Sequence, residues 1–143
     1  MDPTALDIYR QSGTLVYRLE SQQPQILLIP TRKGYWTIPK GIVEPDMSPA
    51  ESAMNEAYEE AGVRGRLVQE SIGRFQYRKW GGTCSVEVFL LEATELLAIW
   101  PESYFRRRQW TPLQDAADLV KFDELAELIR RADQPIRRLH WTV

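Results

Sequence analysis

Glu56, Glu59 and Glu60 stand at i, i+3 and i+4, so on an α-helix their three carboxylates emerge on one face within about one turn. Carboxylates held that close repel one another unless something cationic sits between them. Their chemistry is that of hard oxygen ligands for a divalent cation. The surrounding stretch, Gly41 to Val63, carries six acids (Glu44, Asp46, Glu51, Glu56, Glu59 and Glu60) and no Lys or Arg. A run of glutamates on one side of a helix is usually only a solvated face, so the frame around it has to decide.

The local sequence holds this face in place. Ser48-Pro49-Ala50-Glu51 reads as an N-cap, a proline at the first helical position and a capping-box glutamate, and Gly62 is placed to end the helix in a left-handed turn. The expected helix runs from about Pro49 to Ala61. Ala50, Ala53, Met54, Ala57 and Ala61 form a small-residue stripe on the other side, suited to packing on a sheet.

Gly41, five residues, position 47, seven residues, then Asn55-Glu56-Ala57-Tyr58-Glu59-Glu60-Ala61-Gly62-Val63 resembles the Nudix box, G-x5-E-x7-R-E-U-x-E-E-x-G-U, with every interval matched. Two positions depart from it: Met47 stands where the family has Glu, and Asn55 where it has Arg. In the family those two typically pair and brace the loop against the helix. Losing both removes an ion pair without leaving a lone buried charge. What now orients Glu56 becomes a question for the structure.

The rest of the composition bounds the answer. A chain of 143 residues, 43% of them apolar, suits one domain spanning residues 1–143 with a real core. A net charge of -2 gives no general case for nucleic-acid binding. The single Cys84 excludes an internal disulfide and fits a reducing compartment. No stretch approaches a membrane span, and Met1-Asp2-Pro3 lacks the basic-then-apolar pattern of a signal peptide, so the reading is cytoplasmic.

Residues 6 to 19 read as two short strands broken near Ser12-Gly13, and Gln25 to Ile29 as a buried strand. Tyr35 to Pro39 is an extended piece delivering Lys40-Gly41 to the helix. Arg10, Arg32, Lys33 and Lys40 flank the acids, a layout that suits a polyphosphate held between cations and metal. Arg66 to Tyr77 reads as a strand or bent pair, Lys79 to Gly82 as a hairpin turn and Thr83 to Ala93 as a strong strand. Glu87 points away from Val86 and Val88 in that strand, either as a supplementary metal ligand or as an ordinary solvent-facing acid. Arg106, Arg107 and Arg108 read as an edge strand with one or two groups free to meet phosphate. Leu113 to Leu119 and Phe122 to Arg131 read as helices, and His140 as a surface residue.

Beyond the box, Trp36 to Pro45 is similar to the W-T-x-P-K-G-x-x-E-P entry segment of asymmetric diadenosine tetraphosphate hydrolases. That resemblance implies an adenine clamp at Tyr77 and Phe122, two positions that core packing would also explain. The segment Thr83 to Trp110 is also similar to diphosphoinositol polyphosphate phosphohydrolases, which use basic residues instead, although their P-G-G-G entry is replaced here by Pro39-Lys40-Gly41.

The resemblance implies an α/β fold, an α/β/α sandwich around a mixed sheet. It implies a pyrophosphohydrolase using Mg²⁺ or Mn²⁺ held by Glu56, Glu59, Glu60 and the Lys40 carbonyl. Glu56 or a supplementary glutamate such as Glu87 would be the base, and Arg10, Lys40, Tyr77, Arg106 and Phe122 would bind substrate. The expected partner is a small nucleotide or polyphosphate, most of all a dinucleoside polyphosphate, with a diphosphoinositol polyphosphate or nucleotide sugar as the alternative. A fold that binds nucleotide without turnover is the reading of another class.

Overall fold

The computed structural model describes residues 8–141, so the start of the expected first strand and the N-terminal reading lie outside the described residues. The chain runs β1 (Ile8–Glu20), β2 (Gln23–Pro30), β3 (Trp36–Thr37), β4 (Lys40–Ile42), α1 (Pro49–Ala61), β5 (Val63–Leu67), β6 (Gly73–Lys79), β7 (Gly82–Leu96), β8 (Gln109–Pro112), α2 (Leu113–Leu119) and α3 (Asp123–His140). One mixed sheet joins all eight strands, with β1 parallel to β7 at its centre and the other pairings antiparallel. The α/β/α sandwich expected from the sequence is the observed architecture.

The two sheet faces carry different cores. Leu15, Tyr17, Val86, Val88 and Leu90 pack under α2 and α3 with Leu125, Leu128 and Ile129. Val16, Leu27, Ile29 and Leu91 meet Ala57 and Ala61 of α1 on the opposite side. Because strand side chains alternate, Ser12 and Thr14 share the α1 face with Val16. Small alanines let α1 lie close on the sheet, close enough to bury Ser52 and Glu60 along with them. The acids therefore do not occupy a purely solvent-facing side: Glu60 is only 9% exposed.

Three expectations change. β1 is continuous through Ser12-Gly13, because both residues pair with Gly41 and Lys40 of β4 on one side and with Glu87 and Val88 of β7 on the other. Gly13 is there for close approach: a Cβ would lie 2.7 Å from the Pro39 carbonyl oxygen. Arg106 to Arg108 lie in an irregular segment before β8, not in an edge strand. Helix α3 runs through Pro135 to His140, since Ile136 continues the buried stripe of Leu125, Leu128, Ile129 and Ala132. His140 is tied down there by Tyr17, 2.9 Å from hydroxyl to Nε2.

Candidate active site

Helix α1 has both of the caps its sequence implies. The Ser48 hydroxyl accepts from the Glu51 N–H (3.1 Å), the Glu51 carboxylate accepts from the Ser48 N–H (3.1 Å), and Gly62 closes the helix at φ 66°. From this fixed helix, Glu56 and Glu60 reach under β4. The Glu60 Oε1 accepts the Lys40 backbone N–H at 3.1 Å, and the Glu56 carboxylate packs directly against Gly41, where any Cβ would overlap it.

The two carboxyls are poorly compensated. Burial pushes Glu56 up to about 8, with repulsion from Glu60 and Glu59 adding to it. Burial likewise pushes Glu60 up to about 7, against the opposing pull of Arg106 and the Lys40 N–H. Arg106 lies 3.7 Å from Glu60 but is shared with Glu102 (2.7 Å) and the Pro30 carbonyl (2.8 Å). Ser12 Oγ and Thr14 Oγ1, buried on the α1 face of β1, have no hydrogen-bond partner among the described residues.

An all-oxygen donor pair held in excess negative charge fits a hard divalent cation such as Mg²⁺ or Mn²⁺. Glu59 stands apart: its Oε1 accepts from Asn55 Nδ2 at 3.1 Å. Among the described residues no three His, Cys, Asp or Glu side chains are gathered at metal-binding spacing. In this arrangement Glu59 is held apart from the other two. Asn55, at the second altered box position, thus has a definite role as the partner of Glu59. Met47 and Asn55 both line an open groove of about 690 Å³ behind α1, with Met54 and Tyr58.

A cavity of about 450 Å³ opens in front of Glu60 and Gly41. Among the described residues, six cations, Arg32, Lys33, Lys40, Arg78, Lys79 and Arg106, line it against one carboxylate, Glu60. Lys40 Nζ donates to the Tyr77 hydroxyl at 3.2 Å and lies 4.5 Å from that ring's centroid. Desolvation lowers the Lys40 pKa, with Glu60 opposing. Trp80, 54% exposed, stands at the cavity mouth in the Lys79 to Gly82 turn with a left-handed φ of 56°.

Several residues singled out in the sequence fall elsewhere. Arg10 is exposed on β1 beside Gln11, but Gln11 lines the cavity and Arg10 does not. Glu87, by contrast, shares the α1 face with Glu56 and Glu60, opposite Ser12 of β1, and pairs there with Arg74 at 3.3 Å. Tyr77 and Phe122 do come together, yet their rings stack on each other, centroids 5.1 Å apart at 30°, leaving no slot for a base. Tyr77 is 9% exposed, stacks on Phe75 as well and donates to Gln11 at 2.8 Å. Core packing, the simpler of the two explanations, describes that pair as it stands. Arg78, Lys79 and Trp80 were not singled out, although a basic-aromatic turn two residues past Tyr77 was visible in the sequence.

Residues 9–132 match the family model of the NUDIX domain. The chain belongs to the Nudix family. Among curated Nudix relatives, Nudix hydrolase 13, mitochondrial, of Arabidopsis thaliana is 33% identical over 135 residues, covering 78% of this chain and 67% of that protein. Nudix hydrolase 21, chloroplastic, of the same plant is 36% identical over 129 residues, covering 85% and 65%. Diphosphoinositol polyphosphate phosphohydrolase 3-alpha of Mus musculus is 32% identical over 115 residues, covering 78% and 69%. The chain thus spans about two thirds of the length of these Nudix relatives.

The Nudix fold is matched by solved structures too. The binary complex of the C. elegans Ap4A hydrolase aligns at TM-score 0.74 and 21% identity, covering 90% of this chain and 97% of that one. The NUDIX domain of Shewanella oneidensis NrtR, crystallised with ADP ribose, aligns at 0.72 and 19%, covering 95% and 94%. At these identities the likeness is one of fold.

Proposed function

We propose that this chain is a single Nudix domain that hydrolyses a phosphoanhydride in a small, densely phosphorylated molecule, with Mg²⁺ or Mn²⁺ as cofactor. The carrying observation is the pairing of an undercompensated Glu56–Glu60 couple with a cavity lined by six cations. Glu56, Glu60 and, once released from Asn55, Glu59 would hold the cation, with the Lys40 carbonyl close by on β4.

When bound, the cation supplies neutralisation of anhydride charge that the protein's own lysines and arginines cannot concentrate on one bridging bond. The chain's residues do the rest. The cavity cations hold the outer phosphates and raise the local concentration of an anionic substrate. Hydrolysis adds water oxygen to a phosphorus and breaks its bridging P–O bond, and the released proton needs an acceptor. Glu56, packed against Gly41 beside Glu60, is our candidate acceptor. Glu87, held by Arg74, is the weaker candidate.

The substrate reading favours the diphosphoinositol polyphosphate class, because recognition here rests on charge while the aromatic pair is closed. A dinucleoside polyphosphate such as diadenosine tetraphosphate, the first expectation from the sequence, becomes the second reading, supported by the exposed Trp80 and half-buried Tyr35 at the same cavity. The buried free Cys84 suits a reducing compartment, in keeping with the cytoplasmic reading. The test is phosphate-containing product release with Mg²⁺ and Mn²⁺ from both substrate classes and a nucleotide sugar, for the native chain and Glu60→Gln. No turnover of any of them at millimolar metal leaves only a binding fold.

A further inference from the structure

An α-helix leaves its last four carbonyls without helical partners, and in α1 these belong to Tyr58, Glu59, Glu60 and Ala61. Gly62 N–H satisfies the first at 3.0 Å. The other three are all taken by one distant segment. Glu102 N–H donates to the Glu59 carbonyl (3.1 Å), Trp100 Nε1 to the Glu60 carbonyl (3.0 Å) and Arg108 to the Ala61 carbonyl (2.7 Å).

The segment is itself rigidly tied. Arg108 also donates to the Leu97 carbonyl at 2.7 Å and its guanidinium lies 4.1 Å from the centre of the Trp100 ring. Leu97 N–H donates to the Gly62 carbonyl at 2.8 Å. A Cβ on Gly62 would lie 2.8 Å from both Trp100 and Arg108, so the left-handed glycine that ends α1 also makes room for this contact. Helix α1 has no basic residue in its own last turn; Arg108 supplies the cation its C-terminal dipole favours. On another side of the helix lies the open groove lined by Met47 and Asn55.

We propose that Trp100 and Arg108 are positioning residues for metal binding: the segment from Leu97 to Arg108 braces the C-terminal turn of α1 and so fixes the side chains of Glu59 and Glu60. Two of the three carbonyls it captures belong to those acids, so loosening it lets the donor-bearing turn fray. This assignment rests on the reading of the helical glutamates as metal ligands.

The experiment titrates Mn²⁺ into the full chain and reads free ion by electron paramagnetic resonance, with circular dichroism as the folding control. Arg108→Ala is expected to weaken Mn²⁺ binding about tenfold, the order found when groups supporting metal ligands are removed. Arg108→Lys, which keeps the cation but not the fork, should recover part of that loss. Trp100→Phe, which keeps an aromatic ring for Arg108 but loses the indole N–H and part of the ring surface, should weaken binding by a smaller factor. The substrate KM at saturating Mn²⁺ should stay at the native value while the apparent constant for Mn²⁺ rises. Native Mn²⁺ affinity in folded Trp100→Phe and Arg108→Ala overturns the brace; if Arg108→Ala does not fold, Trp100→Phe decides. A native chain that binds no Mn²⁺ overturns the metal reading first and this one with it.

Discussion

The carboxylate of Glu56 occupies the space where a side chain on Gly41 would be, so close that a methyl group there would overlap both of its oxygens. Gly41→Ala must therefore displace Glu56, although Gly41 adopts no unusual φ and the strand can accept alanine. The expected result is a folded protein with its hydrolytic rate reduced about 10²-fold or more, the scale of losing a positioned proton acceptor. Glu56→Gln should fall by a similar factor. Steady-state kcat on the best substrate, with circular dichroism as control, checks both.

Proton linkage gives the second prediction. An acid whose folded pKa is raised binds its proton more tightly in the native state. Its contribution to stability is fully present below the unfolded value near 4.5 and is lost as pH rises through the folded values, about 7 for Glu60 and about 8 for Glu56. The metal-free protein should therefore lose melting temperature from pH 5 to pH 8. Glu60→Gln should flatten the profile, and saturating Mg²⁺ or Mn²⁺ should raise the alkaline limb. A metal-free profile that rises across this interval would contradict the burial of the pair.

The stacked Tyr77–Phe122 pair gives the third. Tyr77→Ala should destabilise the protein by about 3–5 kcal/mol, as large aromatic truncations in a core do, and lower its melting temperature on any substrate or none. Tyr77→Phe strands Gln11 and should cost about 1–3 kcal/mol. If Tyr77→Phe left stability intact while selectively weakening dinucleotide hydrolysis, the base clamp would return in place of core packing.

The cationic cavity gives the fourth. Arg78→Ala and Lys79→Ala are exposed changes that should leave melting temperature unchanged, raise KM several-fold and flatten its dependence on salt, since screening over about 10 Å at 0.1 M acts on these groups. The rise should be larger for the substrate with more phosphates. Equal KM values at low and high salt in the native chain would argue against recognition by charge.

Much of this was legible because it is local. The helix from Pro49 to Ala61 is written in its own caps, and the observed bounds match the expected ones. The box intervals identify the family, which residues 9–132 confirm. What escaped the sequence depends on partners far along the chain. Ser12-Gly13 resembles a break until β4 and β7 are laid on either side of it. Arg106 does line the cavity, but its ties to Glu60, Glu102 and the Pro30 carbonyl appear only when those distant residues are brought around it. The closed aromatic pair follows from the position of the turn between α2 and α3, which no local pattern encodes.

β1 and β7 pair in parallel, Ile8 opposite Thr83 and Tyr17 opposite Glu92, so the middle of the sheet closes only after everything between them has been made. Contacts so distant in sequence form slowly. During synthesis, α1 can nucleate early on its own N-terminal box, but its last carbonyls wait for Trp100 and Arg108, beyond β7. Until then the glutamates stay hydrated and ionised on an unfinished helix. A nascent chain stopped short of Leu97 therefore carries the whole Nudix box and still lacks the contacts that complete the end of its helix, so that end is finished only once the segment from Leu97 to Arg108 has emerged, and not when the box residues themselves do.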